Sequence, residues 1–263
     1  MDTTESGGPF IKIITITGPG WNGWRGYIVT LTLWLLSTTA LAEVPIEHEG
    51  LTVRQTTLGG TRLIVARLEP GTFKTGIRPG RFDGSSSEGW QVTVNGSYFD
   101  GQNRPVYLLR EGRHEIAPFR RSASGVFWCR AGKCAIDHAS RFAPNRPTDL
   151  AVQSAPRLLG GGRPTRGVRR ADDKDARAGL AITEDGAVLV FATAAWPWGK
   201  VSFNELRRYL VEHYDVRDIL MLDGGSSTRL TVTAGERTVT NGPTLRSVPY
   251  SIVFRQDKGA GTR

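Results

Sequence analysis

The chain has 263 residues, a formal net charge of +9, two cysteines and four histidines. That length suits one large domain or two small ones, and two cysteines are too few for a multi-cysteine zinc site. The basic balance favours anionic partners such as phosphorylated glycans, lipid head groups or wall polymers. With no basic helix, zinc finger or interleaved-aromatic motif, the sequence argues against nucleic acid.

In chain order, the first feature is an export signal. Arg25 precedes an apolar stretch from Tyr27 to Leu36, and Ala40-Leu41-Ala42 follows as a small-x-small cleavage site. The expected arrangement is an N-terminal extension and signal peptide over 1–42 and one domain over 43–263, in a periplasmic or secreted protein. The apolar core is shorter than the roughly 20 residues of a membrane span, so no stable span is expected after cleavage; an uncleaved anchor is the alternative. Residues 1–42 carry Asp2, Glu5, Lys12 and Arg25, so their removal leaves the net charge at +9.

Beyond the signal, short apolar runs alternate with Gly and Pro punctuation. Strands are predicted at Leu51 to Arg54, Thr61 to Leu68, Trp90 to Val94, Val126 to Trp128, Leu180 to Thr183, Ala187 to Thr193, Arg217 to Leu222, Arg229 to Thr233 and Pro249 to Arg255. Glu184-Asp185-Gly186 reads as a hairpin turn. Cys129 and Cys134 flank another Gly-containing turn, where a disulfide across the hairpin is expected after export; two free thiols are the alternative. Pro144 to Ala176, with its triple glycine and run of arginines, reads as a loop-rich flap or exposed excursion. One helix is predicted: Ser202-Phe203-Asn204-Glu205 is a capping box, and Phe203, Leu206 and Leu210 repeat at helical spacing. The fold class is therefore α+β, a single domain of strand-dominated mixed sheets with a few covering helices.

Two segments carry chemistry. Ile219-Leu220-Met221-Leu222 ends in Asp223-Gly224-Gly225-Ser226-Ser227-Thr228, a buried strand that delivers a carboxylate, two glycines and three hydroxyls to a sheet rim. Gln91-Val92-Thr93-Val94 runs into Asn95-Gly96-Ser97-Tyr98-Phe99-Asp100, a second strand ending in polar groups and a glycine. Two such ends can converge on one cleft. A pair of capped tight turns is the plain alternative.

These blocks, in this order, resemble the phosphodiester glycosidase family. Asn95-Gly96-Ser97-Tyr98-Phe99 is similar to its Asn-Gly-Gly-Phe-Phe block, and Gln153-Ser154-Ala155-Pro156-Arg157-Leu158 to its Gln-Ser-Gly-Pro-x-Leu block. Arg177-Ala178-Gly179-Leu180-Ala181 is similar to Arg-Thr-Ala-Ile-Gly, Leu222-Asp223-Gly224-Gly225-Ser226-Ser227 to Leu-Asp-Gly-Gly-Gly-Ser, and Arg246-Ser247-Val248-Pro249 to its closing Arg-x-Val-Pro. Ser97, Ala155 and Ser226 stand where the family pattern has glycine. The resemblance spans about 90 to 255 and implies hydrolysis of a sugar–phosphate diester at the anomeric carbon. A phosphate monoester leaves far more readily than a sugar hydroxyl, so the site needs a cation for the phosphate and a carboxylate near the oxocarbenium-like carbon more than a strong general acid.

On this reading Asp223 is the base or electrostatic stabiliser and Arg177 the phosphate clamp, although a structural arginine fits Arg177 equally. Asn95 and Gln153 offer amides to sugar hydroxyls or a developing oxyanion, or else cap adjacent turns. Gly96 and Ser97 line the same loop. The backbone of Gly224, Gly225, Ser226 and Ser227 suits an anion-binding nest, and Arg246 closes the site or pairs with a buried acid. The partner carboxylate is open among Asp100, Glu184 and Asp185, with Asp100 nearest by motif. The chemistry requires no cofactor. Asp223 and Asp100 could ligate a divalent cation, but no metal motif supports one. The expected partner is a phosphorylated glycan or sugar-phosphodiester substrate.

Two rivals remain at this level. A serine hydrolase fails on pattern, since Thr228 breaks the nucleophile elbow and the histidines show no triad order. A non-catalytic envelope protein binding anionic glycan fits the basic charge as well as the hydrolase does.

Overall fold

The computed structural model describes residues 45–80, 89–121, 125–243 and 246–259; the expected signal segment lies outside them. Among the described residues the elements are β1 (Ile46–His48), β2 (Leu51–Leu58), β3 (Thr61–Leu68), β4 (Phe73–Pro79), β5 (Trp90–Asn95), β6 (Leu109–Glu111), β7 (His114–Ala117), β8 (Gly125–Arg130), β9 (Lys133–His138), β10 (Leu150–Ser154), β11 (Arg157–Gly160), β12 (Arg163–Pro164), β13 (Ala178–Thr183), β14 (Val188–Thr193), the helix α1 (Phe203–Tyr214), β15 (Val216–Met221), β16 (Leu230–Ala234), β17 (Arg237–Thr240) and β18 (Tyr250–Gln256). They form an eight-stranded sheet ordered β1-β2-β3-β14-β13-β15-β11-β12 and two five-stranded sheets, β7-β6-β10-β8-β9 and β17-β16-β5-β18-β4.

The architecture is strand-dominated, as expected, but it is mostly β, with a single α-helix among the described residues. Every pairing between these strands is antiparallel, so the expectation of mixed sheets is corrected. Short turns make most of the connections, and antiparallel neighbours need nothing longer.

The apolar runs are continuous because the large sheet is buried on both faces. Along β3, Ile64 and Ala66 join the main core, while Leu63 and Val65 pack under the helix. Leu220 and Leu222 face the core in the same way, and Ile219 and Met221 face α1. A strand buried on both faces has no polar side to alternate with. The main core joins all three sheets, and the Phe254 ring of β18 meets Phe73 and Phe127 at centroid distances of 5.6 and 6.1 Å.

The capping box forms as the sequence predicts. Ser202 Oγ accepts from Glu205 N at 3.2 Å, and Glu205 Oε2 accepts from Ser202 N at 2.9 Å. The helix stops at Asp215, whose φ of 48° is left-handed. The Cys129–Cys134 disulfide also forms, between directly paired residues of the β8–β9 hairpin.

The expected flap over 144–176 is corrected. Its first half contains β10, which lies between β6 and β8, and β11, which pairs with β15. The polar pair Gln153-Ser154 hides this strand in the sequence, yet both residues are fully buried. The stretches before β10, from Pro144 to Pro147, and from Gly161 to Lys174 are the largely exposed parts.

Candidate active site

All three sheets send a chain end to one place. β15 runs out into Leu222 and Asp223, β5 into Gly96-Ser97-Tyr98, and β10 into Ala155-Pro156. β13 begins just after Arg177. Strand ends give a rigid platform, and the short loops leaving them carry the polar groups.

The seam between the eight-stranded sheet and β5 is held by Asn95. Its Nδ2 donates to the carbonyls of Asp223 at 2.8 Å and Gly96 at 3.0 Å, and its Oδ1 accepts from Arg229 N at 3.0 Å. Asp223 N donates back to Gly96 O at 3.3 Å. Asn95 is wholly buried, so its amide is spent on the backbone beneath Asp223 and presents no donor to a ligand. Gln153 has the same character. Its Oε1 accepts from Leu108 N at 3.3 Å and Arg120 N at 3.0 Å, and its Nε2 donates to Arg120 O. Both side chains position loops, which was one of the two readings their residue type allows.

Gly96 passes so close to the Tyr250 ring that a Cβ there would collide with it. Tyr250 uses this approach: its hydroxyl donates to Ser97 O at 2.9 Å and Tyr98 O at 3.0 Å. Ser97 Oγ donates to Ser154 Oγ at 2.9 Å, and the Tyr98 hydroxyl to Ala155 O at 2.8 Å. The β5 and β10 ends are thereby tied to each other. On the other side, Gly225 adopts φ +58°, a conformation that favours glycine. Its N–H donates to Ala176 O at 2.9 Å, which ties the Asp223 turn to the segment carrying Arg177.

Asp223 is half-buried. Desolvation pushes its carboxyl above the usual aspartate range, while the Ser227 hydroxyl, the Gly224 N–H and the charge of Arg246 pull it down. Tyr98 lies within electrostatic reach of both charged groups. Burial, then the charge of Asp223, pushes its hydroxyl up to about 12, and Arg177 opposes this, so Tyr98 stays protonated at neutral pH and remains a donor. Arg177 lies flat on Phe203, its guanidinium carbon 3.9 Å from the ring centroid. Nε donates to Val201 O at 3.1 Å and Nη2 to Asp173 O at 2.6 Å. Nη1 is left on the Gly224 side, 4.0 Å from the position a Cβ on Gly224 would take. Arg246 is exposed, with its guanidinium over the Phe99 ring at 5.0 Å. Two guanidinium groups therefore accompany one desolvated carboxylate on an open rim.

Of the partner-carboxylate candidates, Asp100 is engaged within its own loop, and Glu184 and Asp185 lie at the far end of the sheet. The Asp100 carboxylate accepts from Gln102 N, Arg104 N and Arg104 Nε at 2.9 to 3.0 Å. Those backbone and arginine donors hold its pKa down and occupy it locally. Glu184 and Asp185 form the β13–β14 turn at the Val216 end of β15, the opposite end from Asp223. There Asp185 accepts from the Thr183 hydroxyl and pairs with Arg67 at 2.6 Å, which bring its pKa to about 2. The carboxylate that does reach the rim is Asp175, unnoticed in the sequence. Its Oδ2 is 3.4 Å from where a Gly225 Cβ would stand, and it pairs through its backbone with Val201. Tyr98 and Tyr250 were also missed as site residues; the close Gly96–aromatic approach that recruits Tyr250 has no signature in a linear pattern. Among the described residues, no group of three or more His, Cys, Asp or Glu is arranged to hold a metal ion.

Ser227 is buried and donates its hydroxyl to Asp223. The histidines are engaged elsewhere or stand at the surface: His138 Nδ1 meets Ser140 at 2.7 Å, His213 Nδ1 meets Tyr209 O at 2.9 Å, and His48 and His114 are exposed. No described histidine accompanies Ser226 or Ser227, as a serine hydrolase would require.

A strand-rich scaffold thus presents the carboxylates of Asp223 and Asp175 and the guanidiniums of Arg177 and Arg246 at one rim. The chain belongs to the phosphodiester glycosidase family, whose model matches residues 88–255. Two solved structures share the fold at 14% identity. A hypothetical protein from Synechocystis superposes with a TM-score of 0.57, over 79% of this chain and 62% of that one. The catalytic domain of zebrafish N-acetylglucosamine-1-phosphodiester alpha-N-acetylglucosaminidase, auto-inhibited by its pro-peptide, superposes with a TM-score of 0.54, over 79% of this chain and 82% of that one. The chain thus spans less than two thirds of the Synechocystis protein. No curated protein matches it.

Proposed function

We propose that this protein hydrolyses a sugar-1-phosphodiester, breaking the bond between the anomeric carbon and the phosphate oxygen, in an envelope or extracellular glycan. The observation that carries this is the desolvated Asp223 carboxylate with Arg177 and Arg246 in its surroundings. An anionic diester neutralises the cations, and a partly buried carboxylate stabilises the positive charge that develops as the bond to the anomeric carbon breaks.

In this reading Arg177 holds the phosphate. Phe203 and the carbonyls of Val201 and Asp173 fix its orientation, leaving Nη1 for a phosphate oxygen. Arg246 approaches from the exposed side. Asp223, ionised, lies against the sugar or activates the attacking water. Water supplies OH to the anomeric carbon, and the departing phosphate monoester takes the remaining proton. The Tyr98 hydroxyl, held protonated and donating to Ala155 O, steadies the loop beside Asp223. Asn95, Gln153, Gly96, Ser97, Ser154 and Tyr250 keep this arrangement in place, and the Gly224–Ser227 backbone lines its floor. The Cys129–Cys134 disulfide supports an oxidising, periplasmic or secreted location. Among the described residues, no helix is long and apolar enough to cross a membrane.

The test is a panel of sugar-1-phosphodiesters incubated with the purified chain, reading free reducing sugar. Release that disappears in Asp223→Asn supports the reading. Tight glycan binding with no released sugar would turn it to a non-catalytic envelope protein that binds anionic glycan.

A further inference from the structure

Trp196 and Trp198 are 43% and 57% exposed, half of the four large hydrophobic side chains on the surface of the described residues. Indole carries a large apolar area, and leaving two of them in water two residues apart forfeits burial worth roughly 25 cal/mol per Å². Slack chain does not account for it, because the backbone that displays them is tightly tied. Ala194 N donates to Arg62 O at 2.7 Å, Ala195 N to Asn241 O at 3.0 Å, and Trp198 N and Gly199 N return to Ala195 O at 2.9 and 3.1 Å. Lys200 N reaches Thr61 Oγ1 at 3.2 Å, and Val201 exchanges both backbone bonds with Asp175. Gly199 is pressed so closely on Ala176 that a Cβ would lie 2.9 Å from the Ala176 Cα.

The location matters as much as the rigidity. β14, β13 and β15 are consecutive neighbours in the eight-stranded sheet. At one end of it, β14 runs out into the tryptophan loop, β13 starts after Arg177, and β15 runs out into Asp223. Neighbouring strands are about 4.8 Å apart, so the loop leaves the sheet roughly 10 Å from the strand of the acid, about the length of two pyranose units. The loop and the clamp also share atoms: Arg177 Nε is held by Val201 O, and Arg177 N by Thr193 Oγ1 at 2.9 Å.

We infer that Trp196 and Trp198 form an aromatic platform on which a pyranose ring of a longer glycan stacks, one or two units from the bond to be cut. The inference rests on the sugar substrate proposed above and extends it from a single glycosyl phosphate to an oligosaccharide or polymer. The C–H face of a pyranose matches a flat apolar surface, and the indole N–H can meet a hydroxyl. The electron-rich indole face offers nothing to a phosphate, so the platform takes the sugar side while the arginines take the anion. A lipid surface fits less well: Pro197 and Lys200 are the exposed residues around the indoles, and no broad apolar patch joins them.

The test titrates the purified chain with N-acetylglucosamine and glucose oligomers of one to four units, following tryptophan emission and calorimetry. Binding to a tetramer at least about tenfold tighter than to the monosaccharide is expected in one of the two series. The Trp196→Ala/Trp198→Ala variant loses that advantage with an unchanged melting profile, and Trp198→Phe keeps most of it. Asp223→Asn retains the platform's binding; wild type that binds the oligomers but releases no sugar from any sugar-1-phosphodiester would fail the proposed reaction and leave the platform standing. Equal affinity for one unit and four, or full tetramer affinity in the double variant, overturns the inference. Tryptophan-dependent binding to phosphatidylglycerol vesicles with no oligosaccharide binding overturns it too, in favour of a membrane-facing role.

Discussion

The side-chain amide of Asn95 donates to the main-chain carbonyl of Asp223 at 2.8 Å, across a separation of 128 residues. This bond joins the end of β5 to the end of β15, and therefore two sheets, directly beneath the carboxylate proposed to work at the anomeric carbon. A second bond to Gly96 O and a third from Arg229 N use both amide donors and engage the oxygen in its fully buried position.

Asn95→Ala strands the Asp223 carbonyl and the Arg229 N–H, each costing about 1–3 kcal/mol when buried and unpaired, and weakens the hold on Gly96 O. The expected loss is about 2–4 kcal/mol of stability, with reduced turnover because Asp223 is no longer held. Asn95→Asp is expected to do comparable damage, since a carboxylate cannot donate to the two carbonyls. Urea unfolding measures both; a midpoint equal to wild type contradicts the positioning role.

The pH dependence follows from Asp223. Burial raises its pKa, so the ionised form appears only above the ordinary aspartate range near 3.9. If the ionised acid is the working form, kcat/KM rises through an acidic limb displaced upward from that value and is flat above it. Arg246 lowers this pKa, so Arg246→Ala moves the limb to higher pH. The stability sign is opposite to that of an ion-paired acid. The folded state binds the proton more tightly than the unfolded state, so wild type loses stability as pH rises from the unfolded pKa through the raised one. The melting temperature of Asp223→Asn minus that of wild type therefore grows across that window. A constant difference refutes the burial argument.

Gly96→Ala is expected to be damaging out of proportion to one methyl group. The new Cβ collides with the Tyr250 ring, whose hydroxyl holds the Ser97 and Tyr98 carbonyls. Overpacking of this kind costs about 1–3 kcal/mol. Pairing the change with Tyr250→Leu should recover stability but not turnover, because the Tyr98 loop stays unanchored. Full stability in the single variant would mean the ring is free to move aside.

The Cys129–Cys134 bridge closes a span of only five residues. A loop that short contributes about 2 kcal/mol by chain entropy. The double Cys→Ser variant should melt a few degrees lower and retain its kinetic constants, since the bridge sits at the turn end of the hairpin, away from the Gly125 and Val126 that pair with Ser154 and Gln153. A large fall in turnover would show that it supports the site.

Much of this arrangement was legible in the sequence. The capping box of α1, the β3 boundaries, the Glu184–Gly186 turn and the Asp223 and Asn95 strand ends all depend on local spacing, which sequence records directly. The missed strands fail for physical reasons. β10 carries Gln153 and Ser154 into the interior, where long-range hydrogen bonds satisfy them, and such partners leave no periodicity behind. β11 is short and follows Pro156 directly. Asp175 was hidden because its closeness to Gly225 is set by backbone pairing with Val201, far along the chain. Asn95 was visible as a residue but not as a tie, because an amide fits a ligand and a buried backbone equally well.

The central claim is cleavage on the sugar side of the phosphodiester by a site in which Asp223 acts. It is tested most directly by running the reaction in ¹⁸O-labelled water with wild type and Asp223→Asn. The account predicts the label on the anomeric hydroxyl of the released sugar, none in the phosphate, and a rate on the order of 10³-fold lower in the variant with its fold intact. Label in the phosphate, or an undiminished rate in Asp223→Asn, would contradict it.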